Sequence, residues 1–298
     1  MIAPGDEAGR DVGVSLYDHG AVETLALAQA AERFGLSGVW LGEHVVVPME
    51  MSADHPYRPD DDPPILGPAA QLIDLWTLIG AISARTTRLV IATGVYLLPL
   101  RSPVLTALAA ITAQRLSGGR LLLGVGSGWL PEEYAAVGMS FTDRGALLDE
   151  YIDVVRAAAA GGRFEHHSPH IEVDPIQISP DAVELPIVIG GVSDPALKRA
   201  ALRGDGWYSP STTTLDECAV TRDRIEALRR EYDTTARPFT YYIRIAGIPD
   251  RATLARYHEA GFTKLSVSGL ELWPRSLALP LAAKLERLEQ LAGDLALV

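Results

Sequence analysis

The stretch GRLLLGVGSGWLPEEY, residues 119–134, decides the fold. Leu121, Leu122 and Leu123 have the character of a short buried strand. It runs into glycines at 124, 126 and 128, then Trp129, and then Pro131, Glu132 and Glu133, which read as the first turn of a helix. Glycines between a strand and a helix let bare backbone approach a ligand. Acids in a first helical turn complement the helix dipole, and that accounts for Glu132 and Glu133 without any catalytic role. Two folds place such a turn above the carboxyl ends of parallel strands: the doubly wound nucleotide sheet and the (β/α)8 barrel.

Moving outward on both sides, strand and helix patterns alternate. Strands are predicted at 12–17, 37–41, 89–93, 121–123, 186–189, 206–208, 239–245 and 264–267. Helices are predicted at 21–34, 70–83, 103–116, 143–160, from 194 onward, 214–232, 250–260 and 276–291. The helical stretches carry apolar residues at helical spacing, as with Leu147, Tyr151, Val154 and Val155. Ser102 with Pro103 fits an N-cap and first position, and Thr214 with Glu217 has the spacing of a capping box. Eight strands, each followed by a helix, predict a TIM (β/α)8 barrel with an extended loop after the second strand and a small insertion, a hairpin at 164–173, after the fourth. The extended loop, 45–68, is rich in proline, aspartate and glycine, the composition of a functional lid.

The doubly wound alternative fails on position. Its glycine fingerprint opens the first βαβ unit and is followed, about twenty residues on, by an acid that ends the next strand. Here that region falls inside the predicted helix spanning Leu147 to Val155.

Composition limits the function. The 298 residues, 48% hydrophobic, suffice for one barrel, and no linker divides them, so a single domain over 1–298 is expected. With 26 basic against 38 acidic residues the formal charge is -12, which argues against a general nucleic-acid or anionic-membrane surface. Cys218 is the lone cysteine, so no intramolecular disulfide framework exists. The first residues lack the basic-then-apolar pattern of a signal peptide, and no apolar run is long enough to span a bilayer. The expectation is a soluble, cytoplasmic protein.

In a barrel the strand ends share one face, so residues distant in sequence meet there. Those ends carry Asp18 and His19, Glu43 and His44, Gly94 and Val95, Gly126, Ser127, Gly128 and Trp129, Gly190 and Gly191, and Trp207 and Ser209. The set suits a flat, aromatic, partly anionic cofactor, with glycine amides meeting phosphate or ring carbonyls and His44 as proton donor or acceptor.

The segments SGVWLGEH, TRLVIATGVYLLPLRSPVLTA, LSGGRLLLGVGSGWLPEEYAAVG, PIVIGG and GDGW resemble the bacterial luciferase-like family, in particular its deazaflavin branch, which uses coenzyme F420. The resemblance runs in order from about residue 12 to 207. It implies a TIM barrel holding the deazaflavin at the carboxyl face, with Glu43 and His44 as the acid-histidine pair at the reactive edge of the ring. It implies a cis peptide at Gly94 and Val95 behind the ring, and cofactor phosphate at Gly190, Gly191 and the turn of Gly206 and Trp207. Gly126, Ser127, Gly128 and Trp129 complete the cofactor-binding set. Two positions depart from the pattern. Trp129 stands where sugar-phosphate dehydrogenases of the family have a glutamate, which points to a more apolar substrate, and Glu43 stands where aspartate is common.

Other features have plain readings. His44 and Glu43 by themselves could be rim residues bonded to backbone. Trp40 reads as barrel core, and Trp129 and Trp207 fit packing as well as stacking. His166, His167 and His170 match no common ligand spacing, and Asp60 to Asp62 read as a solvated loop, so no metal is expected. The resemblance implies an F420-dependent oxidoreductase passing a hydride to or from a small organic substrate with an activated C=C or C=N bond. The alternatives are an FMN monooxygenase of the same fold and a non-catalytic barrel subunit. A homodimer through Leu105 and Leu108 is the expected assembly, although core packing accounts for those leucines equally well.

Overall fold

The structure is a computed structural model that describes residues 11–56 and 66–297. In chain order it contains β1 (Val12–Leu16), α1 (Ala21–Arg33), β2 (Gly38–Leu41), α2 (Leu75–Arg85), β3 (Val90–Thr93), β4 (Tyr96–Leu97), α3 (Pro103–Leu116), β5 (Leu121–Gly126), α4 (Pro131–Ala136) and α5 (Arg144–Ala159). Then follow β6 (Arg163–His167), β7 (Glu172–Gln177), β8 (Ile187–Gly190), α6 (Asp194–Arg203), β9 (Gly206–Tyr208), α7 (Leu215–Glu231), β10 (Thr240–Ile245), α8 (Arg251–Glu259), β11 (Lys264–Ser268), α9 (Gly269–Leu272) and α10 (Leu281–Asp294).

The sheet order is β3-β2-β1-β11-β10-β9-β8-β5, and a β3–β5 pairing closes it. Every pairing around this ring is parallel, so it is a (β/α)8 barrel. Alternate residues of each strand face opposite sides. Val39, Ile91, Leu123, Ile187, Ile243 and Val267 pack outward against the helices, while Trp40, Ala92, Val188 and Tyr208 fill the interior with Leu122 and Tyr242. Trp40 stacks on Tyr208 with centroids 3.9 Å apart and planes 3° from parallel, so Trp40 is barrel core.

At the amino-terminal face the half-buried Arg120 ties the turns together. Its guanidinium donates to the Ser83, Thr86, Leu89 and Ser117 carbonyls and to Thr86 Oγ1. Such a saturated guanidinium stabilises the closed end through charge-assisted hydrogen bonds.

The capping box forms as its spacing predicts: Glu217 N–H donates to Thr214 Oγ1, and the Thr214 N–H donates to Glu217 Oε2. Ser102 caps α3. The second helix begins at Leu75 rather than 70, because Asp74 accepts from Thr77 N–H at 2.8 Å and sets the cap there. The predicted final helix divides into a 3-10 turn, Arg275–Leu277, and α10, with Pro280 directly before the latter. The insertion is an antiparallel hairpin of β6 and β7. Leu105 and Leu108 are 66% and 51% exposed, so core packing does not account for them. Among the described residues no helix is long and apolar enough to cross a membrane.

Candidate active site

The carboxyl ends of the barrel strands open into a cavity of about 810 Å³. Glu43, His44, Gly94, Val95, Gly126, Ser127, Gly128, Trp129, Gly190 and Gly191 all line it. Trp207 does not. It points outward into the helix-facing core, 1% exposed, and its Nε1 donates to the Gly191 carbonyl at 2.8 Å. Its part is to hold Gly191, whose φ of +115° disfavours any side chain there.

The cavity floor is built from three strand ends. The Gly94–Val95 peptide is cis, and Tyr17 Oη donates to the Gly94 carbonyl at 2.6 Å. The Val95 side chain lies between β5 and β8: a Cβ on Gly126 would come within 2.6 Å of Val95 Cγ2, and one on Gly190 within 2.6 Å of Val95 Cγ1. These two glycines therefore leave space for a valine as much as for a ligand. Tyr134 Oη donates to the Ser127 carbonyl and pins the turn from behind.

His44 follows β2 and is held by a carboxylate, but not by Glu43. Its Nδ1 lies 3.1 Å from Glu133 Oε1. The same oxygen accepts the Val45 N–H at 2.7 Å. Glu133 is fully buried, and its Oε2 is buried without a hydrogen-bond partner. Next to it, Glu132 Oε1 accepts the Ser52 N–H at 2.7 Å, so both acids of the α4 first turn fasten the loop that follows β2. The first-turn reading of these acids is thus incomplete. With Nδ1–H donating to Glu133, Nε2 is the nitrogen left for proton transfer.

Glu43 faces Arg101. Arg101 Nη2 reaches Glu43 Oε1 at 2.9 Å and Nη1 reaches Oε2 at 3.1 Å, and the Leu97 N–H donates to Oε2 at 2.8 Å. Burial pushes the Glu43 carboxyl up from its ordinary value, opposed by the Arg101 charge and the Leu97 N–H. These three hydrogen bonds, two from Arg101 and one from Leu97, brace β2 against the segment after β3, so Glu43 ties the two together beside the histidine.

Trp129 stands edge-on to His44, centroids 6.0 Å apart, and tilted against His55 at 5.1 Å. It joins the loop after β2 to the turn after β5. On the β1 side His19 is 7% exposed, accepts from Lys284 Nζ at 3.0 Å, and lies 3.6 Å from Glu23. Burial and the Lys284 charge, against Glu23, bring its pKa down to about 4. Asp18 pairs with Arg275 at 2.5 Å.

On the hairpin His167 pairs with Glu172 at 2.5 Å, and His170 pairs with Glu150 at 2.7 Å. Among the described residues no group of three or more His, Cys, Asp or Glu side chains is arranged to hold a metal. Asp60 to Asp62 and the middle of the loop lie outside the described residues.

Sequence reasoning missed Glu133, Arg101 and Arg244. The alternation of Tyr242 and Arg244 with Ile243 and Ile245 was the available signal for the last, since it turns Arg244 into the barrel.

The site is thus a carboxylate-held histidine at the glycine-floored mouth of a parallel barrel. The chain belongs to the luciferase-like monooxygenase family, whose model matches residues 7–279. It is 34% identical over 220 residues to the uncharacterized protein Rv0940c of Mycobacterium tuberculosis, covering 74% of this chain and 75% of that one. An F420-dependent secondary alcohol dehydrogenase, solved with an F420–acetone adduct, superposes with a TM-score of 0.69 at 17% identity, covering 94% of this chain and 96% of that one. The oxygenating constituent of 3,6-diketocamphane monooxygenase from Pseudomonas putida, solved with FMN, superposes with a TM-score of 0.59 at 16% identity, covering 79% and 67%. At these identities the two structures share the fold.

Proposed function

We propose that the protein is an F420-dependent oxidoreductase that moves a hydride between the deazaflavin and a small organic substrate bearing an activated C=C or C=N bond. The observation that carries this reading is the His44–Glu133 pair at the edge of a cavity of about 810 Å³ floored by Val95 and strand-end glycines. The residues present fit a flat cofactor with an anionic tail. The floor of Val95 between Gly126 and Gly190 offers a smooth apolar support, and the turns at Gly128 and Gly191 present backbone rather than side chains. Arg144 and Arg199 line the same cavity, near the start of α5 and on α6.

When bound, a deazaflavin supplies a ring carbon that accepts or releases a hydride. His44 Nε2 accepts or donates the accompanying proton, since Nδ1–H is committed to Glu133. Glu133 holds the imidazole in one tautomer and one orientation. Glu43 and Arg101 keep the histidine-bearing segment fixed on the segment after β3. Trp129, packed against His44 and His55, narrows the mouth with an apolar surface that favours an apolar substrate.

A second reading, an FMN-dependent monooxygenase, has the family model and the FMN-bound neighbour in its favour. Fluorescence titration of the protein with F420 and with FMN separates the two. Tight F420 binding is expected, and tight FMN binding with none for F420 would overturn the proposal. The exposed Leu105 and Leu108 of α3 are the surface through which a homodimer would form.

A further inference from the structure

Three arginines are at least nine-tenths buried among the described residues: Arg199, Arg229 and Arg244. Two of them have carboxylates. Arg199 Nε reaches Asp149 at 2.7 Å, and Arg229 Nη1 reaches Glu226 at 3.0 Å. Arg244 has none within ion-pair distance among the described residues. Its Nη2 donates to the Pro210 carbonyl, and its Nε is buried with no acceptor. The contrast with Arg120, whose guanidinium is satisfied by five oxygens at the opposite end of the barrel, is sharp.

Arg244 sits on β10, turned inward, and lines the cavity that His44 also lines. The rings of Tyr17 and Tyr208 flank its guanidinium, with centroids 5.3 and 5.8 Å away. They offer aromatic faces but no negative charge. Burial pushes the Tyr208 phenol well above its ordinary pKa, so it stays neutral, and the Tyr17 hydroxyl, which donates to the Gly94 carbonyl, offers Arg244 a neutral acceptor oxygen. Glu271 adds an electrostatic attraction. A guanidinium withdrawn from water without a paired carboxylate or full hydrogen bonding is costly. A ligand carboxylate would supply both, through the paired geometry that guanidinium favours.

We propose that Arg244 is a specificity-determining anchor, and that the substrate is a small carboxylate-bearing molecule whose carboxylate binds this guanidinium between Tyr17 and Tyr208. This rests on the cavity being the substrate pocket of the oxidoreductase proposed above, and it narrows the substrate to organic acids whose remainder extends along the apolar mouth toward Trp129. Among the described residues the other cavity guanidinium without a carboxylate partner is Arg144, which donates to the Phe141 carbonyl and lies over the Phe141 ring at the start of α5. It serves as the internal control.

The test is calorimetric binding of benzoate against benzamide, and cinnamate against cinnamamide, to the full chain without any cofactor. The acid is expected to bind at least about tenfold tighter than its amide, with the preference shrinking as salt rises. Arg244→Met should abolish the preference, Arg244→Lys should weaken it, and Arg144→Met should leave it intact. Equal affinity for acid and amide, no binding of any of the four, or a preference that survives Arg244→Met or vanishes only in Arg144→Met overturns the proposal. If circular dichroism shows Arg244→Met to be unfolded, Arg244→Lys decides, and an unchanged acid-to-amide ratio overturns it. Because no cofactor is present, a negative result leaves the F420 reading standing, and a failed F420 titration leaves this result interpretable.

Discussion

Glu133 Oε1 holds His44 by Nδ1 at 3.1 Å and the N–H of the next residue, Val45, at 2.7 Å. One buried oxygen thus fixes both the ring and the backbone that carries it. The orientation of His44 follows from this arrangement, and so does its expected weight in turnover. Replacing His44 by Ala should lower kcat by about 10²–10⁴ while leaving cofactor affinity within a few-fold of the parent. Steady-state kinetics and fluorescence titration check this, and an unchanged kcat removes His44 from the mechanism.

Glu133→Gln keeps an oxygen acceptor but removes the negative charge beside the imidazole. A loss in kcat of about tenfold or more is expected, since the buried charge that orients the imidazole is gone. Steady-state kinetics check this, and an unchanged kcat would assign Glu133 to loop anchoring alone.

Arg101→Met strands the Glu43 carboxylate, whose side chain is 1% exposed, next to an apolar group. Breaking a buried pair from one side costs about 3 kcal/mol, reduced toward about 2 because the Arg101 side chain is 30% exposed. The double change Glu43→Gln, Arg101→Met should recover part of that loss. Denaturant midpoints report it, and additivity of the two single effects would mean that the pair is not coupled.

His19 titrates at about 4 in the folded chain against an ordinary 6.5. Between those values the unfolded chain binds more protons than the folded one. Stability from this residue is therefore complete above about pH 6.5 and declines as pH falls toward 4, by about 3 kcal/mol at full extent. Thermal unfolding of His19→Gln across pH 4–7 should show a shallower acid slope than the parent, and parallel slopes would rule the residue out as a source of acid lability.

Gly190→Ala should destabilise the barrel by about 1–3 kcal/mol, since the new Cβ would lie 2.6 Å from Val95 Cγ1. Val95→Ala in the same chain should relieve most of that cost. If the double variant unfolds at the same midpoint as Gly190→Ala alone, the contact is not the cause.

The barrel was legible because local signals and global order agreed. The apolar runs at 121–123 and 186–189, the caps at Ser102 and Thr214 and the spacing of strand and helix all point to one topology. Boundaries moved where one side chain overruled periodicity, as Asp74 does at the start of α2. Cavity residues adjoining the strand-end motifs could be located, but their partners could not. Glu133 lies far from His44 in sequence, and a glutamate in a first helical turn has a sufficient local explanation. Arg101 and Arg244 were hidden for a related reason. One sits just before a helix cap and the other inside a strand, and nothing local says that the first meets Glu43 and the second meets no carboxylate. Trp207 misled in the opposite direction, because the alternation of β9 sends Tyr208 into the barrel and the tryptophan out of it.

The side chain of Val95, seated in the gaps left by Gly126 and Gly190, also bears on how such a barrel can change over time. Enlarging either glycine first meets a clash, while shrinking Val95 first leaves only a small hollow. Relatives that carry alanine or serine at either glycine position should therefore have a smaller residue at the valine position. The three sites, two at the ends of β5 and β8 and one in the connection after β3, are expected to vary as one correlated unit with a preferred order of substitution.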